Sequence, residues 1–342
     1  MAVWSGLCPS ASRATRPSPS RTRYRGSVPN LTVTPTHQAP GGHGLGVGFM
    51  LMAMLSGQVG SSFARLLMNH LATPLGAAWM RLAFSGVILL LFWLVRRLVG
   101  RLAKSPPPPR NQPRSPRAWI PAIAYGAVLI TMNSLFYESI SRIPVGIAVT
   151  IEFLGPLSVA IIGSHRLIDF CWVALAALGV IILGVTPTPL TLAGVLFALG
   201  AACCWAAYIL TGARVAQHWQ GTSVLAGACL SGGVVLLPAF ITGGNVTRLT
   251  WGTVVLGLVV ALTSSVLPYS LELLALGRIS TGLFGILESL APAVGALAAW
   301  VLLGQGLHYG DWIAIACVVG ASFGATMTHT KKLVTKTGQA SG

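Results

Sequence analysis

Acid is what this chain nearly lacks: it has six Asp and Glu residues in 342, against 22 Lys and Arg. Charged residues of both signs together make up 8% of the sequence, where soluble domains carry about a quarter. That scarcity excludes water as the main solvent for most of the chain. Cysteine supplies no framework either. Cys171, Cys203, Cys204, Cys229 and Cys317 fall inside apolar stretches and Cys8 in the N-terminal tail, while the adjacent Cys203 and Cys204 point to different helix faces. There is no GxxxxGK[ST] phosphate loop, no HExxH, and no cluster of His, Cys and Asp at metal spacing. The histidines are scattered, and His70, His165, His218, His308 and His329 lie near the ends of apolar stretches, where water reaches them. No cofactor and no metal are expected.

What is present is apolar length. Hydrophobic residues make up 54% of the chain, in runs of about 20 broken by short polar or Gly/Pro segments, the length a helix needs to cross a hydrocarbon core of about 30 Å. Ten such runs are predicted, near 45–67, 74–95, 119–140, 144–164, 168–186, 190–212, 222–241, 251–272, 279–303 and 311–328. They are continuously apolar and do not alternate every second residue, which favours helices over barrel strands. Small residues, as in SGQVGSS, ALGAAC and SGGVV, permit close helix approach.

A formal net charge of +16 invites a nucleic-acid reading, but the charge lies outside the apolar runs. Arg13, Arg16, Arg21, Arg23 and Arg25 precede the first run, Arg96 to Arg117 fill the second connection, and Lys331, Lys332 and Lys336 follow the last. All three segments fall on one side of a ten-span chain, so the positive-inside rule places both termini in the cytoplasm. The expected partner of this basic surface is the lipid bilayer, with no nucleic acid. Residues 1–44, rich in Ser, Pro, Thr and Arg, read as a disordered basic tail lacking the features of a secretory signal; a transit peptide or a mis-assigned start are further readings. A Pro/Arg-rich cytoplasmic linker spans 96–118, and a basic cytoplasmic tail follows at 329–342.

An internal repeat organises the rest. Arg142, Glu152 and Pro156 are spaced by 10 and then 4 residues, and Arg278, Glu288 and Pro292 repeat the same 10 and 4. The two stretches read RIPVGIAVTIEFLGP and RISTGLFGILESLAP. Later, IDFCWVALAALGV and GDWIAIACVVGAS each open the last run of a half with Asp and Trp. Two five-helix repeats follow, 45–187 and 188–328. Because five is odd, the second enters the membrane in the opposite sense. The expected fold is therefore an all-α membrane protein with ten transmembrane helices as two inverted five-helix repeats, a plan that suits alternating access.

With so few acids, each can be read. Glu152 and Glu288 stand some 12 Å along their helices and so near mid-bilayer, where an ionised carboxylate is costly unless it faces a polar cavity, pairs or stays protonated. Lining a substrate pathway, coupling protons, or making a buried structural hydrogen bond are the readings open to both. Asp169 and Asp311, each near a Trp at a helix start, read as caps. Glu138 has Arg142 four residues on and reads as an i,i+4 pair, while Glu272 at a span end is open between cavity and surface. Gln58, Asn133, Tyr137, Trp205, Tyr208 and Tyr269 add polar or aromatic groups inside spans, with packing the alternative for each. Arg81 is read as snorkelling, pairing with an acid or holding an anionic group.

Residues 132–160, MNSLFYESISRIPVGIAVTIEFLGPLSVA, together with LPYSLELLALGRI at 267–279, resemble the ten-helix EamA-type branch of the drug/metabolite transporter superfamily. The likeness spans about 45–328. Two departures stand out: the family's ninth helix places a glutamate immediately before its proline, where this chain has Ala291, and Glu138 stands where an apolar residue is expected. The resemblance implies export of small neutral amino acids such as threonine or homoserine across the bacterial inner membrane. It further implies protons as the driving partner, a cavity between the halves and no enzymatic activity. The alternatives are export of another metabolite or drug-type substrate, or a membrane-embedded enzyme.

Overall fold

The computed structural model describes residues 43–102, 119–161, 167–188, 190–216, 222–276 and 278–339. The expectations for the N-terminal tail, Cys8, most of the proline linker, His165, Arg166, His218, and the side chains of Asp169, His329 and Lys331 to Lys336 lie outside the described residues.

The described residues form helices and no strand. The first half carries α1 (His43–Met68), α2 (Pro74–Leu102), α3 (Trp119–Ile140), α4 (Val145–Glu152), α5 (Leu154–Ile161) and α6 (Leu167–Val185). The second carries α7 (Leu192–Ala216), α8 (Thr222–Val235), α9 (Leu237–Thr242), α10 (Trp251–Ala261), α11 (Leu267–Leu276), α12 (Thr281–Glu288), α13 (Ala291–Leu303) and α14 (Tyr309–Gln339). A π-helical stretch, Leu262–Val266, joins α10 to α11. Among the described residues, seven helical segments are long and apolar enough to cross a membrane: 44–68, 74–99, 119–140, 192–212, 251–272, 283–303 and 309–327. Shorter apolar helices occupy 145–159, 170–183 and 223–235, where three more spans are expected. Ile120, Ile123, Val234 and Val301 are left exposed on these helices, an apolar surface suited to lipid tails. The protein is a multi-pass α-helical membrane protein.

The runs near 144–164, 222–241 and 279–303, expected as single helices, are interrupted, and proline is the cause. A proline has no N–H for the carbonyl four residues back, and its ring crowds that carbonyl. Pro156 thereby frees the carbonyl of Glu152, where α4 ends, and Pro292 frees that of Glu288, where α12 ends. Pro238 interrupts α8 and α9 in the same way. Pro268 frees the Ser264 carbonyl, in the π-helical stretch. Two basic connections are more helical than expected: α2 continues through Arg96 and Arg97 to Leu102, and α14 runs on to Gln339.

The packing has a reciprocal order. α1 lies against α11, α12 and α13, while α7 lies against α3, α4 and α5; α2 pairs with α8, and α6 with α14. The contacts of α1 and α7 match residue by residue. Gly46 of α1 meets Arg278 and Ile279, and Gly194 of α7 meets Arg142 and Ile143. Three residues further on, Arg278 sits over Phe49 at 5.1 Å and Arg142 over Phe197 at 4.9 Å. A Cβ at Gly46 would stand 2.7 Å from Ile279, and one at Gly194 2.6 Å from Ile143, so each approach requires glycine.

Polar clasps fix the connections between helices. Buried Asn245 accepts from the backbone N–H groups of Ala72 (3.0 Å) and Thr73 (3.1 Å) and donates to the Thr73 hydroxyl (3.0 Å), tying the α1–α2 connection to the segment before α10. Gln305, after α13, accepts from the Val145 N–H at 3.0 Å and satisfies the first turn of α4.

Candidate functional site

The interrupted helices bring their breaks to the middle of the bundle. Phe153, the residue after Glu152, stands edge-on to Trp205 of α7 at 5.6 Å. Met54 of α1 and Ala291, which opens α13, complete this cluster. Both breaks thus meet between α1 and α7. Gly155 lets α5 press on α7: a Cβ there would lie 2.3 Å from the Ala202 carbonyl oxygen. Gln58 of α1 reaches the same centre, against Gly295 of α13, which Val149 of α4 also approaches, and its buried Oε1 has no hydrogen-bond partner among the described residues.

Glu152 is 8% exposed, and no hydrogen bond or ion pair joins its carboxylate to a described residue, although the charge of Arg81 acts on it. Glu288, at the matching end of α12, has a buried Oε2 with no partner. Glu272 of α11 is half-buried, and its charge acts on Glu288 and on Tyr125, Tyr208 and Tyr269. Tyr208 and Tyr125 stack at 4.7 Å between ring centres, and their hydroxyls share a hydrogen bond of 2.6 Å. The arrangement therefore combines acids of little partnership with aromatic faces, a surface able to hold a small solute carrying a positive group and apolar parts.

Arg81 does not snorkel. Its Nε donates to the Ser265 hydroxyl at 3.1 Å and its Nη2 to the Ser264 carbonyl at 2.9 Å. Tyr137, fully buried, has its ring centre 6.0 Å from the guanidinium carbon. Pro268, four residues on, has no N–H to offer the Ser264 carbonyl. Asn133 is buried too, but its amide donates to the Leu129 carbonyl of its own helix at 2.8 Å.

Two acids take structural places. Glu138 pairs with Arg142 one turn on. Asp311 is fully buried and accepts from the His308 N–H at 2.9 Å, the reach-back half of a capping box, as well as from the Thr188 hydroxyl. Sequence reasoning missed Tyr125 and the π-helical serines. The available signals were a tyrosine in the apolar run AIAYGAV and the TSS four residues ahead of Pro268.

The sequence profile of the EamA-like transporter family matches residues 192–327. The chain is 39% identical over 287 residues to the threonine/homoserine exporter RhtA of Escherichia coli strain K12, covering 83% of this chain and 92% of that protein. It is equally identical over 283 residues to the protein of the same name from Salmonella typhimurium strain SL1344, covering 82% and 90%. A solved crystal structure of an 18% identical protein superposes with a TM-score of 0.51 over 82% of this chain and 99% of that one, a likeness of fold alone.

Proposed function

Because this chain belongs to the EamA-like transporter family of the drug/metabolite transporter superfamily, and is a membrane exporter and not an enzyme, we propose that it exports small neutral amino acids such as threonine and homoserine across the bacterial inner membrane. Export runs by proton-coupled alternating access between two inverted five-helix halves, residues 45–187 and 188–328. Ten spans, with both termini in the cytoplasm, complete this reading. The reciprocal packing of α1 and α7, with its matched Gly, Arg and Phe contacts, supports the inverted plan. The substrate is inferred from the names of the relatives, to which the chain is 39% identical.

One observation carries the mechanism: each half has a glutamate at a proline-made helix end whose carboxylate makes no hydrogen bond or ion pair with a described residue, and the two ends converge beside Trp205. Burying such groups is costly in a membrane unless a solute or a proton meets them. Glu152 and Glu288 are assigned the substrate and proton, with Glu272, Gln58, Tyr137, Tyr208, Tyr269 and Trp205 lining the route. Asn133 lies on the same helix as Tyr137 and serves the packing behind it. Freed carbonyls at the breaks add acceptors for an ammonium group.

Reconstitution of the full chain into liposomes with an imposed pH gradient tests the reading. Labelled threonine and homoserine are expected to move with the gradient and to slow when an ionophore collapses it. Movement of neither, with some other solute carried instead, would replace the substrate; movement indifferent to the gradient would remove proton coupling.

A further inference from the structure

The reading just given leaves one charged group unexplained. Arg81 lies seven residues into α2 from Pro74, about 10 Å along the helix, whereas Arg65 and Arg214 stand in the last turns of α1 and α7. Its two hydrogen bonds go to neutral acceptors, the Ser265 hydroxyl and the Ser264 carbonyl. These fix the plane of the guanidinium without balancing its charge. Among the described residues the ion pairs are Arg142 with Glu138 and His308 with Asp311, so no carboxylate touches Arg81.

The support beneath the guanidinium is itself anchored. Ser56 of α1 donates to the Thr263 carbonyl at 2.9 Å, and Ser85 of α2 donates to the Ala261 carbonyl at 3.3 Å. Gly60 lets α1 lie against the same stretch, where a Cβ would come within 2.3 Å of the Ser264 hydroxyl. π-helical stretches inside α-helices are frequent at functional sites. This one turns a carbonyl toward a cation and is held in place from two helices.

A guanidinium has five N–H donors; Ser264 and Ser265 take two here, and with Tyr137 alongside at least two remain in a planar fork suited to a carboxylate. A half-buried cation within a membrane span that faces no anion is costly, and a bound anion relieves that cost. We propose that Arg81, held by Ser264 and Ser265, recognises the α-carboxylate of the transported amino acid. Glu152, which senses the charge of Arg81 without touching it, then faces the α-ammonium end. The site selects zwitterions over amines and amides of the same side chain. This assignment rests on the amino-acid reading above.

The test is competition in proteoliposomes of the full chain, with labelled threonine as the moving solute and unlabelled threonine or threoninamide as competitor. Threoninamide keeps the ammonium and the side chain but loses the carboxylate. In the wild type, threonine is expected to compete at least about tenfold better than its amide. Arg81→Gln narrows that preference to about twofold or less, and Arg81→Lys retains an intermediate value. Arg81→Gln protein that moves threonine and keeps the wild-type preference overturns the assignment, as does a general slowing with the preference unchanged, which marks a structural role. If the Gln variant does not fold, Arg81→Lys and Ser265→Ala decide: a narrowed preference in either supports the assignment, and an unchanged one in both overturns it. A wild type that moves no amino acid fails in a different pattern, removing the substrate class before any variant is compared.

Discussion

The two proline-broken helices share their glutamate-to-proline spacing but not their surroundings. α4 is buried at every residue from Val145 to Glu152, whereas α12 is half-buried from Leu283 to Glu288. Three residues after each glutamate stands Gly155 in one half and Ala291 in the other. Gly155 admits the Ala202 carbonyl of α7, and the methyl of Ala291 instead packs near Met54 and Phe153. Ten residues before each glutamate lies a further difference: Arg142 has Glu138 as partner, while Arg278, with Leu274 in the matching place, donates to the Leu274 carbonyl at 2.8 Å. The first break is wedged against its neighbours and the second has room. The first is thus suited to fixing a carboxylate in place, and the second to yielding as the halves move.

The largest expected effect lies at the acids themselves. Glu152→Gln should lower threonine flux about tenfold or more, and Glu288→Gln about threefold, in proteoliposomes with an imposed pH gradient. Equal losses would mean that the two breaks do the same work. Next come the residues three positions on. Gly155→Ala drives a methyl into the Ala202 carbonyl and should cost about 2 kcal/mol. Ala291→Gly should cost about 1 kcal/mol, mainly through the lost packing of its methyl. Thermal unfolding of both variants in detergent reads the difference, and the reverse order would place the tighter wedge in the second half. Smallest is the half-exposed ion pair: Glu138→Gln and Leu274→Glu should each change stability by less than about 0.5 kcal/mol. A larger loss in Glu138→Gln would give Glu138 a place in the mechanism.

Much of this contrast was legible in the residues before any coordinates. The repeated interval of four between glutamate and proline is the hydrogen-bonding interval of an α-helix, so the pattern already contained the break and its position. The breaks inside these runs were not foreseen, because apolar content measures length across a membrane and is blind to a missing N–H. The pairing of Glu138 with Arg142 and the capping by Asp311 were readable because both are local. The contact of Arg81 with Ser264 and Ser265 was not, since it joins residues more than 180 positions apart. Nor was the stack of Tyr125 on Tyr208, which depends on how α3 lies along α7. Asn133 looked like a route-lining amide, but buried side-chain amides also satisfy themselves on their own helix, and sequence does not distinguish the two.

The claim on which the account turns is that the Glu152 carboxylate faces the passing solute. A hydrophobic carbodiimide modifies carboxyl groups within membranes, and peptide mass spectrometry of the full chain in liposomes locates the product. Glu152 is expected to be modified in the substrate-free protein and to be protected by added threonine, with flux falling in step with its modification. Modification of Glu152 at the same rate with and without threonine, or full flux from protein modified there, would contradict the account.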